Sequence, residues 1–562
     1  MLLSFRSDRG GNFAILSAVL VVPLAISAGV MIDLSTISRT KTELQNALDA
    51  AALAVAREGV NLSDARAREI ADGFVRTNFD PAVTQLNLIR AGNSVTVSGN
   101  TKAHMAFGGL LGYENWNVSV SSQADIAYAK YEIALVLDTT GSMAGGKLIA
   151  MKDAVLGLID TMSAQVTNPD DLKFSLVPFS SFVNVGSQFG PKFDNDGQQI
   201  PGTGAPWLDV AGLVPLPQME LEAGVSRFQL AYNTSQPWSG CVETRVSADD
   251  FDVSDELPVK GKVNSLVVPA FAIDEPATGG YDNNYIASDV QPTDKTTRAR
   301  AQKLFKYGVP EEEIEDLLGI GDVTAVLGSS GDEDDGNEDE DEGEDEDDEN
   351  PKHRSKTKHS KVKIDDGISL NTRYKKGPNF GCVTEPISPL SNSYVSLKNS
   401  VRDLQARGNT NILEGVVWGM RALSPGEPFT EGASLEEEVG LQKIMIVLTD
   451  GANTLGNRGH ALGSIYSSFG YLADGRLGIS SGGDTATNTA MNSKTSKACE
   501  NAKKTGITVF TIRLEEPDVK TGSLLQDCAT SPGHYFDAPS RAQLDGIFQS
   551  IQDKIVRVRI SS

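Results

Sequence analysis

Cysteine and histidine are scarce in this chain, with four and five in 562 residues. They form neither a CxxC pair nor an HExxH motif, which argues against a zinc site. No Ser-His-Asp order suggests a hydrolase, and no EF-hand spacing occurs. Basic charge is also in short supply. Lys and Arg number 50 against 75 Asp and Glu, a net charge of −25. Fifteen of those acids lie in 332–349 with no base among them, and without them the remainder carries −10. A mildly acidic body excludes nucleic acid as the main partner. Long apolar runs are equally few, so the chain is no polytopic membrane protein. With 40% hydrophobic and 22% charged residues it is not disordered as a whole. Its length suits roughly three or four domains of about 150 residues each.

One apolar run is long. Phe13 to Ile32 is twenty residues without a charge, interrupted only by Pro23 and Gly29. That length matches one helical bilayer crossing. Arg6 and Arg9 precede it; Asp33, Arg39, Lys41 and Glu43 follow. The short N-side and long C-side favour N-terminus in and bulk out. A cleaved signal peptide is the alternative, with Ala25-Ile26-Ser27 as a small-x-small site. Either way the rest of the chain is exported. From Arg39 to Glu58 the sequence stays rich in helix formers. Leu44, Leu48, Ala51, Ala52 and Val55 share one helix face, as in an amphipathic stalk or an ordinary packing helix.

The opening, RGGNFAILSAVLVVPLAISAGVMIDLSTISRTKTELQNALDAAALAVA, resembles the N-terminal segment of TadG-like proteins of the Tad (Flp) pilus-assembly system. Gly11-Asn12-Phe13 is similar to a prepilin cleavage site, although Leu16 stands where processed pilins carry Glu.

Residues 63–79 read as a short helix with Ala67, Ile70, Ala71 and Phe74 on one face. Gln85–Ile89, Ser94–Thr101 and Trp116–Tyr128 alternate as strands, with Gly92-Asn93 as a turn. Beyond Tyr131 the pattern changes. IALVLD (133–138), Leu172–Val177, IMIVLTDG (444–451) and Ile507–Arg513 read as buried strands. Lys147–Ser163, stretches of Asn399–Leu423 around Gly408-Asn409, Lys494–Thr505 and Gln543–Lys554 read as helices. This alternation predicts an α/β fold with a doubly wound, mostly parallel, Rossmann-like sheet. The expected organisation is a transmembrane helix and stalk at 1–58, a small α+β unit at 59–130, and the α/β domain at 131–557. An insertion at 184–389 lacks periodicity and is too long for a loop, so it is a subdomain, partly disordered, or both. The acidic run 331–350 and the basic run 351–363 fall in a segment, 329–364, expected to be disordered. The acidic run is a solvated spacer in this reading; a diffuse calcium buffer is the alternative.

Three segments carry oxygen ligands where an open sheet presents its loops. Asp138, Thr140 and Ser142 follow the first strand, Thr410 precedes a helix, and Asp450 ends IMIVLTD. Two carboxylates and three hydroxyls form a hard-oxygen set suited to Mg²⁺, Mn²⁺ or Ca²⁺. Helix caps without a metal are the alternative use of these hydroxyls.

The pattern D-x-T-x-S, then Thr410, then T-D-G resembles the von Willebrand factor A (VWA) domain and its metal-ion-dependent adhesion site. The family carries Ser at the place of Thr140. The resemblance implies that hydroxyls bind the ion directly and that the aspartates bind it directly or through water. PWSGCVETR (237–245), FAIDEPATGGYDNNYIASD (271–289) and GPNFGCVTEPISPL (377–390) are similar to segments of exported Tad-type A-domain proteins. DTTGS is also similar to the aspartyl-phosphate motif DKTGT, but Thr139 replaces its lysine and Thr140 the second Asp of related phosphatases. His534 reads as a packed or surface histidine.

Four cysteines allow three pairings. Cys241 and Cys382 share Gly-Cys-Val contexts in the insertion, and Cys499 and Cys528 flank one strand, so these two pairs are expected in an exported chain. Four buried thiols are the alternative. Together these readings predict a non-enzymatic, exported VWA protein of a Tad/Flp pilus-assembly or adhesion system. It is anchored by a single pass in a bacterial inner membrane, with its bulk in the periplasm or at the cell surface. Its metal site binds the carboxylate of a protein ligand, such as a pilus or envelope component. A VWA adhesin or envelope scaffold unrelated to pili is the alternative, and an aspartyl-phosphate phosphotransferase a remote one.

Overall fold

The computed structural model describes residues 12–58, 62–91, 94–125, 130–166, 168–259, 261–286, 288–328, 361–362, 376–438, 440–456 and 459–561. The acidic run, most of the basic run and the Gly92-Asn93 turn lie outside them. The chain divides into two compact units, 1–129 with 555–562, and 130–554.

The first unit begins with one continuous helix, α1 (Asn12–Arg57), followed by α2 (Asp64–Asn78). An antiparallel sheet follows, with β1 (Val83–Ala91), β2 (Ser94–His104) and β3 (Asn115–Asp125) in the order β1-β2-β3. From Val19 to Ile32, the large apolar side chains of α1 are 50–70% exposed. Among the described residues this is the one helix long and apolar enough to cross a membrane. Its second half is amphipathic. Leu44, Ala47, Leu48, Ala51, Ala52 and Val55 are buried in one cluster with Ala67 and Ala71 of α2 and Val95 and Val97 of β2. The inward face of α2 is turned slightly from expectation: Val75 is buried and Phe74 is exposed. Ser63 caps this helix by accepting from the Arg66 amide.

The second unit is built on a six-stranded sheet. Its elements run β4 (Lys130–Asp138), α3 (Gly146–Ser163), β5 (Leu172–Phe179) and β6 (Val183–Asn184). Then come α4 (Arg227–Asn233), β7 (Cys241–Glu243), β8 (Val268–Pro269), α5 (Thr297–Lys306), α6 (Glu311–Leu318) and α7 (Val323–Leu327). The closing stretch is β9 (Ser388–Ser391), α8 (Tyr394–Asp403), α9 (Ile412–Leu423), β10 (Leu441–Thr449), α10 (Asp484–Lys504), β11 (Thr508–Leu514), α11 (Val519–Cys528), β12 (Tyr535–Ala538) and α12 (Leu544–Ser561), which belongs to this unit as far as Lys554. The sheet order is β12-β11-β10-β4-β5-β9, parallel except for β9. Side chains alternate across the sheet. Ala134, Val136, Val177 and Phe179 pack with α9 and α10 on one face. Phe174, on the other face, meets Tyr394 of α8 edge-on at 6.3 Å. The fold is therefore a doubly wound, mostly parallel α/β sheet. The helix α10 begins ten residues earlier than its apolar pattern indicates, because Thr487 occupies its buried face there.

The insertion is ordered over its described residues. Strands β6, β7 and β8 form a small antiparallel sheet. Cys241 of β7 is bridged to Cys382, and Cys499 of α10 to Cys528 of α11. Buried ion pairs add to an apolar cluster around Phe271, Tyr285, Leu304 and Tyr307. Glu243 is held by Arg227 at 2.8 Å and by Arg476 at 2.6 Å, and Lys306 meets Glu220 at 2.8 Å.

Helix α9 lies close on the sheet because it presents two glycines, one turn apart. A Cβ on Gly415 would sit 2.6 Å from Phe179 Cδ1, and one on Gly419 would sit 2.5 Å from Val136 Cγ2. Gly419→Ala should therefore cost about 1–3 kcal/mol through overpacking. Gly157→Ala on the open face of α3, where a Cβ meets nothing within 4 Å, should gain up to about 1 kcal/mol. Denaturant midpoints of the two variants should move in opposite directions. A Gly419→Ala midpoint that holds or rises would refute the close approach of α9.

Candidate metal centre

The sheet reverses its winding between β4 and β10. From β4 the chain moves to β5 on one side, and from β10 it moves to β11 on the other. Ligands of such sheets bind beyond the strand C-termini at this switch point. In register, Leu137 pairs with Leu448, so Asp138 and Thr449 end the two strands side by side. Asp450 is the next residue.

Asp138 is fully buried and fixed at both oxygens. Its Oδ1 accepts from the Thr140 amide at 2.8 Å and its Oδ2 from the Thr449 hydroxyl at 2.5 Å. Burial, and then the neighbouring Asp450 charge, push its carboxyl up to about 6. The Thr140 and Ser142 hydroxyls are 2.9 Å apart, and Ser142 Oγ donates to Asp450 Oδ1 at 2.6 Å. Thr410 Oγ1 is 3.3 Å from Thr140 Oγ1. All five residues singled out in the sequence therefore meet in one cluster. Asp138, Thr140, Thr410 and Asp450 are buried, and Ser142 is exposed at the mouth.

Backbone bonds set this arrangement. The Gly141 amide donates to Gly408 O at 3.0 Å and the Arg407 amide to Thr139 O at 2.7 Å, locking the loop after β4 to the loop before α9. Gly408 takes a positive φ of 82°, where a side chain would be strained and would crowd Ser180 and Val383. The Thr454 amide donates to Thr410 O at 2.9 Å, and Asn453 Oδ1 accepts from the Ile412 amide at 2.8 Å. The loop after β10 thereby fixes the start of α9.

These donors fit a hard divalent cation. None of the three hydroxyls caps a helix: the short helix after Thr140, α3 and α9 all begin without a side-chain cap bond. The hydroxyls converge on each other and on Asp450 instead. Gly451 keeps the cradle open, since a Cβ there would sit 3.0 Å from Thr410 Oγ1 and 3.6 Å from Ser142 Oγ. Among the described residues no group of three or more His, Cys, Asp and Glu is placed to hold a metal. A site here depends on hydroxyl oxygen as well as carboxylate, as Mg²⁺ accepts.

Sequence reasoning missed Thr449 and Lys147. The Lys147 ammonium lies 2.6 Å from Asp450 Oδ2. A signal for it exists: Lys147 stands in the first turn of α3, where the helix dipole disfavours a cation and no acidic residue is present. His534 lies apart from these contacts, bonded to the Ser531 hydroxyl at 2.6 Å and packed on Phe510.

Among solved structures, the pilus adhesin SpaC of Lactobacillus rhamnosus GG is similar at 12% identity and a TM-score of 0.30. The alignment covers 84% of this chain and 34% of SpaC, so this chain spans about a third of that protein's length. The von Willebrand factor domain of a type V pilus tip protein from Porphyromonas gingivalis aligns at 9% identity and a TM-score of 0.30, over 76% of this chain and 95% of that one. The PilB minor pilin of Streptococcus sanguinis aligns at 10% and 0.31, over 84% and 77%. At these TM-scores the likenesses add nothing to the reading of the site. No curated protein matches. The family model of Flp pilus-assembly TadE/G-like proteins, named Tad, matches residues 11–58, the stretch that forms α1.

Proposed function

We propose that this is a membrane-anchored, pilus-associated protein whose α/β unit is a VWA domain that binds an acidic protein ligand through a divalent ion. The ion, Mg²⁺ or else Mn²⁺ or Ca²⁺, is held by Asp138, Thr140, Ser142, Thr410 and Asp450. The observation that carries the reading is the convergence of these oxygens at the switch point, with Gly451 leaving room beside them. The Tad match over 11–58 supports the pilus assignment. The exposed apolar half of α1 supports single-pass anchoring in a bacterial inner membrane, with the α/β unit in the periplasm or at the cell surface.

The donor set favours binding over catalysis. Hydroxyls and two carboxylates leave a divalent ion electrophilic, and a Glu or Asp of the partner completes its coordination. Asp138 is a poor nucleophile here, because it is buried and both of its oxygens already accept hydrogen bonds. The Lys147 ammonium neutralises Asp450 and must yield when an ion enters.

Calorimetry on the full chain in detergent should show Mg²⁺ or Mn²⁺ binding. The ion should stabilise the fold by about 2.7 kcal/mol at a hundred times its dissociation constant. Asp138→Ala should remove both the heat and the thermal shift while the fold persists. Absence of heat from the wild-type protein with millimolar Mg²⁺, Mn²⁺ and Ca²⁺ would sink the metal reading.

Lys147→Met should raise the ion affinity about tenfold, by removing a competing charge of similar reach. Unchanged or weaker binding would show that the ammonium does not compete with the ion.

Alkaline carbonate should leave the full-length protein in the membrane pellet, and C-terminal reporters should be active only outside the cytoplasm. Release of full-length protein would refute the anchor, and a cytoplasmic signal would refute the orientation.

A further inference from the structure

The hairpin β2–β3 packs along α1, and its tip reaches back to the end of the apolar run. Asp33 is the first charge after that run, yet it is only 3% exposed. Its carboxylate accepts three backbone amides of the tip: Ala106 at 2.8 Å, Phe107 at 3.1 Å and Gly108 at 2.6 Å. One turn nearer the N-terminus, the Phe107 ring lies over Gly29, where a Cβ would be 2.7 Å from the ring carbons. Between Ala18 and Ile32 of α1, Gly29 is buried while its neighbours are exposed. The tip is therefore fixed to the helix at the level where the uncharged run ends. Phe107 sits inside that run, about 6 Å along the helix axis from Asp33 at 1.5 Å per residue.

The composition of the tip is unusual for an exposed hairpin turn, which is normally polar. MAFGGLLGYENW (105–116) contains one charged residue, Glu114. Phe107, Tyr113 and Trp116 are 40%, 66% and 53% exposed. Clustered exposed apolar groups mark an interaction surface. Trp and Tyr concentrate where a bilayer meets water, because the ring is apolar and its N–H or O–H stays wet.

We propose that the tip 105–116 is an interfacial membrane anchor, seated in the headgroup boundary of the leaflet from which α1 emerges. The proposal rests on α1 crossing that bilayer. Its occupant is lipid because the tip is hydrogen-bonded to the residue that ends the span. The solvent around the last turns of the run also surrounds Phe107, which lies over Gly29, and Tyr113 and Trp116 belong to the same exposed tip. The anchor holds α1 at two points, the span itself and the hairpin, and so fixes the depth and rotation of the helix where the first unit begins.

The test uses the full chain in phosphatidylcholine–phosphatidylglycerol vesicles containing lipid brominated at shallow or at deep acyl positions. Three of the four tryptophans, Trp207, Trp238 and Trp418, are buried, so Trp116 is the indole that lipid can reach. Shallow bromine should quench part of the emission, deep bromine should quench less, and Trp116→Phe should abolish the shallow quenching. If wild type and W116F are quenched alike while the protein resists carbonate, the tip lies outside the bilayer and this proposal fails while the anchor stands. If Trp116 is shielded from aqueous iodide yet untouched by bromolipid, the tip belongs to a protein partner and the proposal also fails. If carbonate releases the full-length chain, the anchoring reading fails and this one with it.

Discussion

Two carboxylates end up side by side because two parallel strands stop together where the sheet reverses its winding. Asp138 and Asp450 are both buried, and burying like charges is unfavourable unless something answers them. The surrounding structure is that answer. Hydrogen bonds from the Thr140 amide and the Thr449 hydroxyl fix Asp138, and the Ser142 hydroxyl and the Lys147 ammonium satisfy Asp450. The loops at 139–142 and 407–410 are locked to each other by backbone bonds, and the loop after β10 holds Thr410 from the far side. The two-glycine face of α9 allows this, since a bulkier helix would ride higher and carry Thr410 away.

The insertion shows a different way to specify structure. Its strands are two or three residues long and its helices short, so periodic burial contributes little. Its order comes from nonlocal ties. Glu243 draws Arg227 and Arg476 into one buried cluster, joining the insertion to the loop after β10. Glu220 and Asp274 share Lys306, and Cys241–Cys382 closes a loop of 141 residues in sequence. Such pairs contribute modest net stability, but losing one partner strands a buried charge. They therefore discriminate strongly between the right contact and any other.

In the first unit a single helix carries two surface patterns. One half of α1 is apolar around its circumference, and the other half buries one stripe against α2 and the sheet. Asp33 marks the change, and its burial against three amides makes the boundary a fixed point of the structure.

Much of the fold was legible in the sequence alone. IALVLD and IMIVLTD are continuous apolar runs because parallel strands are buried on both faces, and that pattern is local. The long helix was equally legible, since its uncharged run and its later stripe are each written within one segment. The site was legible as separate pieces, because oxygen ligands at strand ends and before a helix stand out without knowing their neighbours. What only the tertiary structure decided was pairing across distance. Lys147 reads as an ordinary helix residue until Asp450 is beside it, 303 positions away. The buried Thr487 hid the first half of α10, because a polar residue inside breaks the apolar pattern while its hydroxyl bonds back to its own helix. The insertion and the hairpin tip at Asp33 were hidden for the same reason. A charge or ring announces its chemistry in the sequence, but its partner is chosen only when the chain brings the two together.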